Sequence, residues 1–264
     1  MTQETPAVRL HFRQSGSDRN PPLLFLHGLF GSSANWGRIT RHFEADYHCI
    51  TPDLRNHGRS PHDTDVSYQA QAADVQELML ELSIDSAAFI GHSMGGKVAM
   101  IQALTQPHTV DSLIVVDIAP VTYTHSFSGI ISALRQLDLE SLHKREQADA
   151  QLAVSIHDAA VRAYLLQNLV KSEGRWQWRI NLDYLYAGIE EIIGFPEMKD
   201  HIYPGETLFL YGERSGYIDQ FGCETAKQLF PRGGFVEVVD AGHWVYAEQP
   251  EKFIQSIEAF LGRC

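Results

Sequence analysis

Cysteine is scarce in this chain, and what there is excludes more than it suggests. Cys49, Cys223 and Cys264 stand far apart and are odd in number, a spacing that suits neither a disulfide framework nor a zinc site. Cys49 lies in the apolar run Tyr47-His48-Cys49-Ile50 and is expected to be a small buried residue. No apolar run approaches the roughly 20 residues that span a bilayer. Met1 to Leu10 lacks a basic stretch followed by an apolar core, so no secretory signal is read there. The expectation is a cytoplasmic enzyme with no membrane partner. Also missing are the GxxxxGK[ST] phosphate loop, the GxGxxG dinucleotide turn and the HExxH metal helix; no cofactor and no metal are expected. Positive charge is in deficit too: 21 Lys and Arg against 33 Asp and Glu leave a formal net charge of −12. That balance argues against a nucleic-acid partner, because phosphate contacts need a basic surface.

What is present is an ordinary globular composition. The 264 residues, 44% hydrophobic and 20% charged, are enough for one large core. Short apolar runs alternate with helical patterns. Pro22–Leu26, Tyr47–Thr51, Ser86–Ile90, Leu113–Val116, Thr207–Tyr211 and Phe235–Val239 read as strands of a sheet covered on both faces. Val75, Leu78, Met79 and Leu82 keep helical spacing, with Ser67 as a candidate cap, and Phe253, Ile254, Ile257, Phe260 and Leu261 do so after Pro250. Alternation of this kind predicts an α/β fold with a mostly parallel central sheet and helices on both faces.

The alternation stops once. From about His125 to Tyr203 there are helical patterns, such as Ile130 to Leu137, Leu142 to Ile156, Ala159 to Val170 and Leu182 to Ile193, but no central strand. An insertion this long is better explained as a helical cap than as a loop. The expected division is therefore a core of residues 1–124 and 204–264 with a helical cap at 125–203, inserted before the last two strands.

The chemistry concentrates in the turns after the strands. Gly91-His92-Ser93-Met94-Gly95-Gly96 fits G-x-S-x-G, follows an apolar strand and opens a helical pattern. A serine on a strained strand-to-helix turn, flanked by residues small enough to let the backbone pass, is a nucleophile elbow, which makes Ser93 the candidate nucleophile. Asp240-Ala241-Gly242-His243-Trp244 follows the last strand, and His243 is the only histidine after it. In elbow-bearing folds the order along the chain is nucleophile, acid, histidine, so His243 is the candidate base.

The acid is less plain. After the strand that follows the cap, where an aspartate is common, Gly212-Glu213-Arg214-Ser215-Gly216 places a serine. The preceding strand ends instead in Asp117, and a charge at the end of an apolar strand is costly unless paired or used. Asp117 leads, with Glu213 and Asp219 as alternatives. Negative charge forming on a substrate carbonyl would be met by the backbone N–H of Met94, after the nucleophile, and by that of Leu29 in the His27-Gly28-Leu29-Phe30-Gly31 loop.

Other features have competing readings. The Asp53–Ser60 loop, rich in Arg, Asn and His, suits structural hydrogen bonding better than substrate contact. Trp176 and Trp178 either line an acyl pocket or pack the cap; with Phe30 and Trp244 they complete the candidate substrate-binding side chains. Lys144, Arg145, Lys171, Arg175 and Arg179 make the cap locally basic. They suit a solvated face more than a phosphorylated group such as coenzyme A.

Taken together, the stretches His27–Ser32, Arg55–Ser60, Phe89–Lys97, Asp117–Val121 and Ala241–Val245 resemble one branch of the α/β-hydrolase superfamily, the bacterial YbfF-type esterases and their mitochondrial relatives. The resemblance runs from about residue 22 to the end of the chain and is weakest in the cap. It implies a triad of Ser93, Asp117 and His243, with the acid after the strand that precedes the cap. It also implies hydrolysis of short acyl esters, with acyl-CoA thioesters as further candidate substrates.

Overall fold

A computed structural model of the chain describes residues 6–124 and 127–262. Cys264 and the expected core–cap boundary at residue 125 therefore lie outside the described residues. The strands run β1 (Phe12–Ser15), β2 (Pro22–Leu26), β3 (His48–Pro52), β4 (Ala87–His92), β5 (Val110–Val116), β6 (Leu169–Ser172), β7 (Arg175–Trp178), β8 (Glu206–Gly212) and β9 (Gly233–Val238). Seven form one sheet in the order β1-β3-β2-β4-β5-β8-β9. Every pairing in it is parallel except that of β1 with β3.

The apolar runs explain the layers. Strand side chains alternate between faces, and the runs are apolar at every position. Leu24, Leu26, Phe89, Leu113, Val115 and Phe209 thus enter one core cluster. Their neighbours Leu23, Phe25, Ile90, Ile114, Val116 and Leu210 enter the other. The helices Tyr68–Glu81 and Met94–Thr105 bury Val75, Met79, Val98 and Ile101 in the first. The helix Pro250–Leu261 buries Phe253 and Ile257 in the second, and Trp36 and Ile39 join it there. Ser67 caps its helix by accepting the Ala70 N–H at 3.3 Å, and Pro250 opens the last helix.

Two strands depart from the sequence reading. β1, Phe-Arg-Gln-Ser, is polar and half exposed because it is the antiparallel edge strand, and no apolar run announces it. β9 lies at the opposite edge, where Val236 is 39% exposed. A run that reads as central is here covered on fewer sides.

Between β5 and β8 the chain leaves the sheet and forms the cap. Its α-helices are Ser128–Arg135, Arg145–Leu152, Ala159–Leu166, Leu182–Ala187 and Ile189–Ile193. The cap is not wholly helical, however. β6 and β7 make an antiparallel hairpin around the Glu173-Gly174 turn, with Gly174 at φ +81°, so the helical pattern expected to run through Val170 stops at Leu166. The alternation of Trp176 and Trp178 with polar neighbours was the local sign of that strand.

Candidate active site

The site assembles at the carboxyl ends of β2, β4, β5, β8 and β9. Ser93 follows β4 directly, at φ +50° and ψ −117°, a region that a residue bearing a side chain rarely occupies. Surrounding backbone holds it there. The Ser93 N–H donates to the Val116 carbonyl at 3.0 Å, and the Ser93 carbonyl accepts from Lys97 N–H at 3.1 Å. The glycines are required by contact. A Cβ on Gly91 would lie 2.3 Å from the Gly95 carbonyl oxygen, and one on Gly95 would lie 2.4 Å from that of Leu26. Ser93 is 9% exposed and faces two cavities.

Asp117 follows β5, fully buried and at φ +52°. Its carboxylate is fully engaged. Oδ1 accepts the Gly212 N–H at 3.0 Å. Oδ2 accepts from the Ser215 hydroxyl at 2.5 Å and faces His243 Nδ1 at 2.6 Å. The serine found where an aspartate is common therefore serves the aspartate one strand away. Glu213 and Asp219 are occupied elsewhere: Glu213 accepts the Asp240 N–H, and Asp219 caps the helix Gln220–Leu229 through Gly222 N–H.

A carboxylate on Nδ1 sets the tautomer of His243 and turns Nε2 outward. Two aromatic neighbours fix the ring. Tyr217 stacks on it with centroids 4.1 Å apart and planes at 21°. His92, next to Ser93 in sequence, approaches at 4.7 Å and donates Nε2–H to the His243 carbonyl at 2.9 Å. Burial, followed by the closeness of His243, holds His92 well below the usual histidine range, so it stays neutral.

The loop after β2 is held from both sides. His27 accepts the Leu54 N–H on Nε2 and donates Nδ1–H to the Gly28 carbonyl, each at 2.9 Å. His57 accepts the Phe30 N–H on Nε2 at 3.2 Å and donates Nδ1–H to the Arg55 carbonyl at 2.9 Å. A ring that accepts on one nitrogen must be neutral. Burial pushes His27 down and His57 down to about 3, which agrees. From the cap, Tyr164 donates to the Leu29 carbonyl at 2.9 Å and Asn168 Nδ2 to the Phe30 carbonyl at 2.7 Å. Among the described residues, the N–H groups of Leu29 and Met94 have no hydrogen-bond partner, and both residues border a cavity with Ser93.

The Asp53–Ser60 loop is structural. Buried Arg55 makes a bidentate pair with Asp74, at 2.6 and 2.7 Å, and Asp53 accepts the N–H groups of Ser33 and Arg59.

The larger cavity, about 220 Å³, is lined among others by Phe30, Phe127, Ile130, Tyr164, His243 and Trp244. Phe30 and Trp244 both border the cavity that Ser93 and His243 share. Among the described residues, Trp176 and Trp178 line neither of the two cavities that Ser93 faces. The hairpin carries them into the packing of the cap, where Trp178 Nε1 donates to the Leu134 carbonyl at 3.2 Å and Lys171 lies over the Trp176 ring. Of the basic residues of the cap, Lys144, Arg145, Lys171 and Arg175 are exposed and Arg179 is half-buried; Arg145 donates to the Leu169 carbonyl. Cys49 is buried, and burial pushes its thiol up to about 12. Sequence reasoning missed Tyr217 and Tyr164, which reach the site from elements that no local pattern connects to it, and gave no role to Lys97, although it stands on the helix that the nucleophile opens.

Comparison with known proteins places this architecture. Residues 21–250 match the family model described as alpha/beta hydrolase fold. The sn-1-specific diacylglycerol lipase ABHD11 of Mus musculus is 38% identical over 249 residues, covering 91% of this chain and 81% of that protein. Esterase YbfF of Escherichia coli is 33% identical over 243 residues, covering 92% and 93%. A solved marine microorganism esterase superposes with a TM-score of 0.93 at 37% identity, covering 96% of this chain and all of that one. The chain belongs to the α/β-hydrolase family, in the branch that holds the YbfF-type esterases.

Proposed function

We propose that this protein is a carboxylic ester hydrolase that works through an acyl-Ser93 intermediate. The observation that carries the reading is the 2.6 Å contact between Asp117 Oδ2 and His243 Nδ1 at the wall of a cavity that Ser93 also lines. In the first half-reaction the Ser93 oxygen attacks the acyl carbon while His243 Nε2 takes the hydroxyl proton. The resulting oxyanion is met by the N–H groups of Leu29 and Met94. Collapse of the tetrahedral intermediate breaks the bond to the leaving oxygen, which takes the proton from His243 and departs as the alcohol. In the second half a water loses its proton to His243 and attacks the acyl carbon; the acid leaves and Ser93 recovers its proton. Asp117 orients the ring throughout and stabilises its charged form, and Ser215 and Gly212 hold Asp117 in turn.

The small-molecule ester reading is supported by the activities named for the relatives, a diacylglycerol lipase and esterases. Thioesters such as acyl-CoA fit the same sequence of steps, with a thiol leaving in place of an alcohol. Labelling with a fluorophosphonate tests the mechanism: an adduct on Ser93 is expected, and its absence overturns the reading. Ser93→Ala is expected to lower kcat on p-nitrophenyl acetate by about 10⁴–10⁶-fold with an unchanged melting curve.

A further inference from the structure

Two cavities meet at Ser93, and they differ in what reaches the reacting centre. The larger includes His243. The smaller, about 20 Å³, does not; its walls include Met94, Ile118, Tyr123, Ile192 and Ile193, and Lys97 stands among them. A space of about 20 Å³ takes roughly one water-sized group. His243 must protonate the departing oxygen, so the leaving group belongs on the His243 side. The acyl half then points into the smaller cavity.

Lys97 is an unusual wall. It is 1% exposed and lies one helical turn beyond Ser93. Its amino group bonds to two backbone carbonyls rather than to a carboxylate: Ile193 at 2.9 Å and Gly194 at 2.5 Å, both at the carboxyl end of the cap helix Ile189–Ile193. The rings of Tyr123 and Tyr68 lie 4.8 and 5.6 Å from it. Burial pushes Lys97 down to about 7, yet both the charged and the neutral amine have two N–H groups for these carbonyls. The same turn is tied down beside it, since the Tyr68 hydroxyl donates to the Ile192 carbonyl and Tyr123 N–H to that of Ile193. Among the described residues, Lys97 is the one on the helix that the nucleophile opens that hydrogen-bonds to this turn.

We propose that Lys97 is a specificity-determining residue: by pinning the Ile193–Gly194 turn of the cap to the helix behind Ser93, it keeps the acyl-side cavity small and so limits the length of the acyl group. The inference rests on the ester hydrolase reading above and adds the residue that sets acyl size. A buried lysine serving only stability would leave the ranking of substrates unchanged.

The experiment is a p-nitrophenyl ester series from acetate to octanoate, with the leaving group held constant, on wild type, Lys97→Ala and Lys97→Met. Met retains most of the volume without the two hydrogen bonds, so it separates the clamp from bulk and serves if the alanine variant folds poorly. In wild type, kcat/KM is expected to fall with acyl length. Both variants are expected to raise the octanoate-to-acetate ratio of kcat/KM, by about tenfold for methionine and more for alanine, mainly through a lower KM for octanoate; each added methylene in an apolar site is worth roughly ten- to a hundredfold at most. Hydrogen exchange of the amides at residues 192–195 should quicken alongside. A ratio that stays within about twofold of wild type, in variants that still take the phosphonate on Ser93, overturns the role of Lys97 and leaves the hydrolase reading standing. A wild type that takes no label and turns over no ester overturns both.

Discussion

The carboxyl edge of the sheet and the cap above it are built differently. At the sheet edge each candidate catalytic group is held by several independent bonds. Asp117 receives three hydrogen bonds from three separate residues, and the loop carrying Leu29 hangs between two neutral histidines whose ring nitrogens are all engaged. Among the described residues, the cap consists of helices of at most eight residues, one short hairpin and the segments that join them, and it meets the edge through a few side-chain bonds to backbone carbonyls, such as Tyr164 to Leu29, Asn168 to Phe30, and Lys97 to Ile193 and Gly194. Strained backbone, as at Ser93 and Asp117, persists only where its surroundings over-determine it. On the hydrolase reading the core keeps the chemistry constant while the cap changes what fits, and substitutions in the two regions should fail in different ways.

The largest effect should come from Asp117→Asn. The amide keeps an acceptor for Gly212 N–H but presents its NH₂ to groups that themselves donate, the Ser215 hydroxyl and His243 Nδ1–H. His243 must then reverse its tautomer or its ring, and Nε2 is no longer available to take the Ser93 proton. We expect kcat on p-nitrophenyl acetate to drop about 10⁴-fold with KM little changed. A loss below tenfold would mean that Asp117 is a structural residue and that the histidine is oriented by something else.

How much of this was legible in the sequence follows the same division. Ser93 and His243 were readable because local pattern places them: a glycine-flanked serine between an apolar strand and a helix, and a lone histidine after the last strand. Asp117 was half legible. Its position at the end of β5 was plain, but the competing Glu213 and Asp219 drop out only when their own hydrogen bonds are seen, and the service of Ser215 to Asp117 joins residues 98 positions apart. Tyr217 gave no signal, and Lys97, though it closes the Phe89–Lys97 stretch, gave none of its role, since a tyrosine in a turn and a lysine on a helix acquire meaning only from what packs against them. The hairpin was missed because a four-residue strand between turns gives too short a periodicity to outweigh the helical pattern before it. Edge strand β1 was missed because it is paired on one side and need not be apolar.

A middle-sized effect should mark the scaffold under the Leu29 loop. His57→Ala leaves the buried Phe30 N–H without an acceptor, a cost of about 1–3 kcal/mol, and frees the Leu29 N–H to move. We expect kcat to fall by about 10–100-fold, less than the 10²–10³-fold lost with an entire oxyanion donor. The pH dependence of stability sharpens the point. His57 is neutral in the folded protein down to about pH 3, whereas the unfolded chain takes up its proton below the ordinary value of 6.5. Its stabilising share is therefore whole above pH 6.5 and is lost as pH falls toward 3, at about 1.4 kcal/mol per pH unit; His27, also pushed down, adds in the same direction. Melting temperatures of wild type should drop through that window, and those of His57→Ala should drop less steeply. Equal slopes would show that His57 titrates alike in both states.

The smallest effect should fall in the cap and should be one of stability alone. Trp178 and Trp244 are the same residue type, both half-buried, yet one packs the hairpin against Leu134 and the other lines the cavity beside His243. Trp178→Phe removes a single hydrogen bond and retains an aromatic ring, which should cost about 1 kcal/mol and lower Tm by about 2–4 °C. Its kcat/KM along an ester series of increasing alcohol length should stay at the wild-type value. Trp244→Phe shortens a wall on the side assigned to the leaving group, so its effect should grow with alcohol length while the melting curve changes little. If Trp178→Phe altered the alcohol series as Trp244→Phe does, the cap hairpin would have to move with the cavity wall, and the separation between a fixed chemistry and an adjustable fit would fail at its weakest joint.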